Sequence, residues 1–594
     1  MEDIMMKKTR MFLILLLVAA MAFSAAFAEN GGTGAETGGS PSLAMKTFPL
    51  YTEDSGTEPF ADAFPLYFAD GVNDLPYVNI SSVLTILNAA VGRGIFNGEE
   101  LTGEFDPEAE TVTICLGESD SVLWFDFAGQ KAAYSQYETY GRSRDDAMLD
   151  PLVASGYNAE TGAPELFSRV PASMYQREGD VLKIDLKDYE IPMIHQDDLF
   201  LLPMHTAFDL IFCLPSNEFV VCFNGQGIFF GSHAMFDKKT DLGAMYYSVQ
   251  VPERSPQLAA YGVNELCMEL DHFYGLKEAH GISSFRELVV YSGLAEQLLA
   301  ANANVADKAL ALLLNYCLDD GHSSFRGNSW MTGMEPEDNP EAAGDGFCGT
   351  AWTAAAKKMS EAKKPYPDCK KPYFEVGNTA YIYLKQFSID IQNSEKYYDG
   401  ITEEEIATDT VALIAYAHAQ ISRENGPIEH VVLDLSTNVG GDLDAAIFAM
   451  SWFLGEVPFS SVSPLTGAQR TALYLADINL DHEFDERDTI EEKNLYCLIS
   501  PVSFSCGNLV PAIFKSSGRV TLIGDTTGGG SCVVLPMSSA WGSLFQISGP
   551  MRMSFVKNGS YYDADCGVDP DVYLTKAETY YNREKLTEII NSLQ

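Results

Sequence analysis

The run Ser503-Phe-Ser-Cys-Gly-Asn508 follows the apolar stretch Leu495-Tyr-Cys-Leu-Ile-Ser500 and precedes a segment with helical periodicity. A strand that enters a helix through a tight turn of small hydroxyl and thiol side chains is a place where a nucleophile can be presented. Ser505 and Cys506 are the candidates to attack. A serine hydroxyl is a weak nucleophile unless a neighbouring base takes its proton, and histidine does this at neutral pH because its ordinary pKa is about 6.5. His322, in Asp319-Asp-Gly-His-Ser-Ser-Phe325, comes directly after a helical segment that Gly321 is placed to end. A third turn, Thr437-Asn-Val-Gly-Gly-Asp442, carries paired glycines after another buried strand. Each feature also has a purely structural reading. Ser505 suits a helix N-cap, His322 a buried histidine after a helix, and the glycines an ordinary turn.

The surrounding pattern has to bring such groups together. From about 373 the chain alternates strands and helices. Asn378–Phe387, Ile428–Ser436, Leu495–Ser500 and Arg519–Thr526 read as strands, and Thr408–Ile421 and a stretch lined by Leu443, Ile447, Met450 and Leu454 as helices. That alternation predicts an α/β core with a largely parallel sheet, whose ligands sit beyond the carboxyl ends of the strands. Both the 437–442 and the 503–508 turns leave strands at that end. Before it, 245–370 reads as a helical cap. Ser284-Phe-Arg-Glu287 is predicted to be a capping box, and Asn304-Val-Ala-Asp307 is predicted to open a second helix. Residues 334–346 form an acidic loop, and the basic stretch 357–371 a solvated helix face. From 45 to 240, short β-like runs with one helix near 81–95 predict an α+β domain with a binding or docking role.

Composition narrows the class. The chain has 594 residues, which points to roughly two to four domains. Its formal net charge of −45 leaves no cationic surplus to neutralise phosphates, which excludes nucleic acid as a partner and disfavours anionic lipid. Lys7, Lys8 and Arg10 precede an apolar run that ends at Ala-Phe-Ala28. This is the pattern of a signal peptide over 1–28, so the protein is expected to be secreted or in the cell envelope, with no transmembrane segment once it is removed. Residues 29–44 read as a flexible linker. Eleven cysteines, none in C-x-x-C spacing, disfavour zinc and thioredoxin-like sites. Some pair in disulfides on this reading, while Cys317 and Cys497 lie in apolar runs as core residues.

Three segments in order, VVLDLSTNVGGDLDAAI, SFSCGNLVPAIFKSSGRVTLIGDTTGGGS and GVDPDVYL, with DGHSSF upstream, resemble the C-terminal-processing (tail-specific) serine proteases. The likeness runs from about 260 to 594. It implies a crotonase-like (ClpP-like) β-β-α spiral core at 371–594, with substrates that are peptides or unfolded protein tails. The serine–lysine branch of that family carries a lysine 25 residues beyond its serine. Here that position is Gly530, so a serine–lysine dyad is excluded. The chain instead resembles the branch that holds the tricorn core protease and the interphotoreceptor retinoid-binding proteins. The resemblance implies that Ser505 attacks, that His322 is the base, and that the Cys506 backbone rather than its thiol faces the substrate. The N–H of Cys506, with that of Gly440 or Gly441, would form the oxyanion hole. The acidic residue of this branch falls at Ala564, flanked by Asp563 and Asp565, and Ser323 is a secondary candidate for the relay. No cofactor is required. The rival readings are a catalytically inactive carrier of peptide or apolar ligands and an acyl-transfer enzyme of the crotonase type. The signal segment argues against the second, because coenzyme A thioesters are intracellular.

One further motif stands apart. Asp477, Asn479, Asp481, Asp485 and Asp488 occupy positions 1, 3, 5, 9 and 12 of a calcium-type loop. His482 replaces the expected glycine and position 12 lacks a glutamate, so the alternatives are a calcium site and a solvated acidic loop.

Overall fold

The computed structural model describes residues 42–91, 99–141, 166–170, 175–249, 251, 253–332 and 346–593. The expected signal segment, most of the expected linker and all but the last residue of the acidic stretch 334–346 lie outside them. The protein is a mixed α/β chain in two compact units. The first holds residues up to 146, 180–345 and 534–549. The second holds 147–179, 346–533 and 550–594. Most of the α+β region and of the helical cap, expected as separate domains, falls in the first unit, while their stretches 147–179 and 346–370 fall in the second. Among the described residues no helix is long and apolar enough to cross a membrane.

The second unit is built on a six-stranded sheet. Tyr373–Val376 is antiparallel to Thr379–Tyr383. The rest, Thr379–Tyr383, His430–Asp434, Asn494–Ile499, Val520–Gly524 and Val572–Tyr573, run parallel in that order. Val432 pairs with Tyr496, and Cys497 with Leu522. Every residue of His430–Asp434 is buried, as befits a strand covered on both faces, where an unbroken apolar run replaces alternation. Helix Thr410–Ile421 starts at Asp409, whose carboxylate accepts the Ala412 N–H at 3.0 Å. Helix Leu443–Leu454 is apolar apart from Asp444 and Ser451 and almost wholly buried. A second sheet pairs Val457–Val462 with Gln469–Ala476. Strands Phe167–Arg169 and Tyr175–Arg177, expected in the N-terminal domain, also pair with Gln469–Ala476. Their short runs find backbone partners here, which local sequence pattern does not specify.

The first unit contains a seven-stranded sheet that includes Leu43–Thr52, Ala61–Ala69 and Leu199–Pro203, and a five-stranded antiparallel sheet over 101–185. Its helices include Pro256–Phe273 and Ala303–Leu312. The second of these is capped by Asn302, two residues before the expected start, and continues as a π-turn over Leu313–Leu318. Asp319, not Gly321, takes the left-handed position that ends it. The expected capping box at Ser284 is absent: its side chain makes no cap, and Glu287 accepts from the Ser283 hydroxyl instead. None of the eleven cysteines is in a disulfide; Cys497 is buried and Cys317 half-buried. Lys363 ends helix Phe347–Lys363, but it lies over the Tyr383 ring at 3.3 Å rather than in solvent.

A buried ion pair fastens the last helix to the central strand. Arg583 donates to the Asp434 carboxylate, and the Asp434 side chain is fully buried. Burial by itself would raise the Asp434 carboxyl, but Arg583, Lys363 and Ser436 outweigh it and hold it below the ordinary range. Arg583→Met leaves this carboxylate buried without its partner and is expected to destabilise by about 3–5 kcal/mol in urea unfolding. Because the folded pKa is depressed, the contribution is present above the unfolded value of about 3.9 and is lost as pH falls below it. The wild type should therefore lose more stability than the Arg583→Met variant on acidification below about pH 4.

Candidate active site

Ser505 sits between the Asn494–Ile499 strand and helix Cys506–Ser517. Its backbone takes φ 57°, ψ −124°, a conformation that costs a non-glycine residue about 1–3 kcal/mol and persists only where the surroundings impose it. A similarly sharp strand–nucleophile–helix turn exposes the attacking serine in the α/β-hydrolases. The surroundings are specific. Ser503 donates its hydroxyl to the Leu435 carbonyl at 2.7 Å, and Ser500 donates to the Ser436 carbonyl at 2.6 Å. The Phe504 N–H donates to Asn438 O at 3.1 Å, and the Ser505 N–H to Gly529 O at 2.9 Å. The Asn508 amide donates to Ala564 O at 2.8 Å and accepts from the Thr527 hydroxyl at 2.6 Å. Ser500 and Ser503 thus fasten the turn. Ser505 differs from both. It is half-buried, its side chain makes no helix cap, and its hydroxyl bonds to no group among the described residues.

Backbone donors flank it. Among the described residues no other residue accepts from the N–H of Cys506, the first residue of the helix. Burial pushes the Cys506 thiol up to about 12, and that thiol donates to Gly441 O at 3.2 Å, so it is a packed side chain and not an attacking thiolate. Gly440 approaches Ser505 so closely that a Cβ there would lie 2.7 Å from the serine Cβ and 3.1 Å from its Oγ. The Gly440 N–H is given to Asn438 Oδ1 at 2.8 Å. Gly441 is exposed, and its N–H has no acceptor among the described residues, which narrows the second candidate donor to Gly441. Both glycines have positive φ, 101° and 125°.

The acidic candidates brace the neighbouring glycine loop. Asp565 Oδ1 accepts the Ser531 N–H at 2.9 Å and the Ser531 hydroxyl at 3.0 Å, and its carbonyl accepts the Gly530 N–H at 3.1 Å. Asp563 is ion-paired with Arg552 and accepts the Asp565 N–H at 3.0 Å. These contacts hold the 526–531 loop that in turn holds Ser505. Sequence reading did not find Arg552 or Asn508.

His322 belongs to the first unit and is buried there. Asp320 organises its turn, accepting the N–H groups of His322 and Ser323 at 3.0 and 2.6 Å and the hydroxyls of Ser323 and Tyr274 at 2.8 and 2.7 Å. The Ser323 hydroxyl also accepts the Ser548 N–H at 3.1 Å, so both of its hydrogen-bonding roles are taken by the scaffold. Gln546 holds the His322 carbonyl at 2.7 Å. Asp320 was passed over in the sequence, although an Asp two positions before a turn residue is the signal for this local bond.

The 477–488 loop turns its oxygens onto its own backbone. Asp477 accepts the N–H groups of Asp481 and His482 at 3.1 and 2.8 Å, and Asn479 also accepts that of Asp481, at 2.9 Å. Asp488 accepts those of Ile478, Asn479 and Asp485 at 2.8, 3.1 and 2.9 Å. Arg487 pairs with Asp481 and with Asp485, each at 2.7 Å. His482 does take the left-handed turn at φ 68°, stacked on Tyr398. Burial pushes the Asp488 carboxyl up to about 6. These five side chains do not converge on one point. Among the described residues the one group of ligand-bearing side chains that does is His205, Asp209, Glu265 and Glu269, in the first unit.

The sequence model of peptidase family S41 matches residues 378–574, which span Ser505 and both glycine turns. A Chlamydia pneumoniae protein, CPj1016/CpB1054, is 27% identical over 155 residues, which is 24% of this chain and 21% of that protein. The photosystem II D1 C-terminal processing protease aligns at 18% identity over 36% of this chain and 46% of its own, with a TM-score of 0.26. Mature CPAF aligns at 11% identity over 57% of this chain and 96% of its own, with a TM-score of 0.37. The chain thus spans about a fifth of the curated relative and under half of the D1 protease.

Proposed function

From the peptidase family S41 domain at 378–574, we infer that this chain is an exported serine endopeptidase that cleaves peptides or unfolded protein tails through an acyl-enzyme. The observation that carries the reading is Ser505 itself, a non-glycine residue held at φ 57° at a helix start with an unengaged hydroxyl. Ser505 Oγ attacks the scissile carbonyl carbon while His322 takes its proton. The carbonyl oxygen becomes an oxyanion and is held by the N–H groups of Cys506 and Gly441. Collapse of the tetrahedral intermediate expels the amine, which receives the proton from His322. Water, deprotonated by the same imidazole, then hydrolyses the acyl ester. Asp563 and Asp565 act here as positioning residues for the 526–531 loop. The core is a crotonase-like spiral with a helical cap, and the 1–28 segment directs the chain out of the cytoplasm.

This chemistry needs no cofactor. Calcium in the 477–488 loop is a separate, structural proposal, since an ion there has to displace Arg487 from Asp481 and Asp485. A gain in thermal stability on adding calcium would support it.

Labelling with a fluorophosphonate probe tests the catalytic pair. The wild type is expected to label and Ser505→Ala not at all. His322→Ala should label about 10²–10⁴-fold more slowly, the usual size of a lost general base. Labelling that survives both substitutions removes the assignment. A wild type that does not label, and does not hydrolyse unfolded protein, favours the non-catalytic carrier suggested by Gly530 in place of lysine.

A further inference from the structure

Two pairs of ionisable residues, each spaced by four, lie in the first unit: His205 with Asp209, and Glu265 with Glu269. That spacing puts both members of a pair on one helical face. Glu265 and Glu269 project from helix Pro256–Phe273. His205 lies in helix Met204–Phe208, which passes directly into a π-turn, Asp209–Cys213, that begins at the second member of the pair. Single π-turns inside helices concentrate at functional sites, because the extra residue re-aims a side chain.

The four side chains meet in the interior. They are 5%, 6%, 1% and 2% exposed. His205 Nδ1 lies 2.7 Å from Asp209 Oδ2, 2.9 Å from Glu265 Oε2 and 3.9 Å from Glu269 Oε1. None of these four atoms has a hydrogen-bond partner outside the cluster. Each residue therefore aims one unsatisfied atom at a common point, and the four lie within 4.8 Å of one another. A buried polar atom without a partner costs about 1–3 kcal/mol, and more when it is charged.

The outer contacts fix which atoms face inward. Ser538 donates its one hydroxyl proton to Val221 O at 3.0 Å, so at 2.9 Å it accepts from His205 Nε2–H. In the neutral imidazole the opposite nitrogen, Nδ1, then presents its lone pair to the cluster. Glu265 Oε1 accepts the hydroxyls of Thr206 and Tyr261, which leaves Oε2 turned inward. An imidazole lone pair opposed to three carboxylate oxygens is repulsive until a positive centre, a metal ion or a proton on Nδ1, sits between them. Hydrogen bonds that orient a ligating histidine and a ligating carboxylate from outside are the usual second layer of a metal site.

We propose that His205, Asp209, Glu265 and Glu269 bind one divalent first-row transition-metal ion, in the class of Zn²⁺ or Mn²⁺, which ties the 204–213 helical segment to the 256–273 helix. One imidazole and three carboxylates suit these ions. Calcium takes six to eight oxygens, and copper(I) prefers thiolate and thioether. In a tetrahedral zinc site with bonds of about 2.0–2.1 Å the ligand atoms lie about 3.3 Å apart, and the distances from His205 Nδ1 here, 2.7, 2.9 and 3.9 Å, bracket that value. The ion is closed off from solvent, which makes its role structural. The sequence signal was present in the two spacings of four. Attention to cysteine spacing hides it, because no thiol supplies a ligand.

The test uses the full chain, stripped of metal with a chelator, then incubated with Zn²⁺ or Mn²⁺ and desalted. Elemental analysis should find about one ion per chain, and the loaded form should melt higher, because an ion that binds only the folded state stabilises it. Cobalt(II) substitution should give the visible spectrum of a low-coordinate site. His205→Ala and Glu265→Gln should lose the stoichiometric ion. In case either fails to fold, Ser538→Ala keeps all four ligands and should weaken binding about 10–100-fold, the usual effect of removing such an outer contact. Ser505→Ala should bind metal as the wild type does, so the result stands apart from the peptidase reading. Less than about a tenth of an equivalent in the loaded wild type, with an unchanged melting temperature, overturns the proposal and makes the cluster a protonated network. Undiminished binding by folded His205→Ala overturns it as well.

Discussion

Ser505→Ala is expected to lower hydrolysis of an unfolded protein substrate by about 10⁴–10⁶-fold, the scale on which removal of an attacking serine is felt. The fold should survive, since the Ser505 hydroxyl supports nothing: it caps no helix and bonds to no described group. A second substitution makes the prediction sharper. The φ of 57° and ψ of −124° strain any residue that carries a Cβ, and alanine keeps that strain. Ser505→Gly removes it, against the extra backbone freedom glycine has when unfolded. The glycine variant should therefore be as inactive as the alanine variant, yet more stable than it by about 1 kcal/mol in urea unfolding. A serine kept in a costly conformation for no structural benefit is the signature of a site selected for reactivity. A glycine variant less stable than the alanine one would show that the turn is comfortable at 505 and would weaken the assignment. Retained hydrolysis in either variant would remove it.

The sheet of the second unit was legible because its strands are buried on both faces. Unbroken runs such as His430–Asp434 and Leu495–Ile499 cannot be amphipathic helices, and the helices between them leave parallel pairing as the simple solution. The turns were legible for a related reason. Small residues and paired glycines appear where backbone must approach backbone, and Gly440 and Gly441 do so against Ser505 and Phe387. Other features were hidden because they depend on partners distant in sequence. Nothing in Phe167–Arg169 says that it will join Gln469–Ala476. Spacing of acidic residues at 477–488 suits a cation, but the same oxygens satisfy the loop's own N–H groups and Arg487 supplies positive charge. Ser284 resembles a capping residue, but its side chain makes no cap. In each case the partner is chosen by tertiary packing, which local pattern does not encode.

Gly440→Ala is the second large effect, and it probes the scaffold rather than the nucleophile. A Cβ at 440 would stand 3.0 Å from the Phe504 carbonyl, which is tight, and 2.7 Å from the Ser505 Cβ, a separation that real Cβ atoms essentially never show. The backbone there also has φ 101°, which an alanine resists. The turn has to shift, and it cannot shift alone. The Gly440 carbonyl accepts the Phe387 N–H at 2.8 Å, and the Asp442 N–H donates back to the Phe387 carbonyl at 3.0 Å. Movement of the 437–442 turn therefore moves the Gly441 N–H, the proposed oxyanion donor, relative to Ser505. The expected outcome is a fall in kcat of about 10²–10³, the usual cost of one misplaced donor, with KM changed far less, because the donor acts on charge that develops only in the transition state. Gly441→Ala should be worse for folding, since its Cβ would lie 2.0 Å from the Phe387 carbonyl oxygen. A Gly440→Ala enzyme with normal kcat would mean that the glycine turn merely closes the loop. A change confined to KM would place it in substrate binding instead.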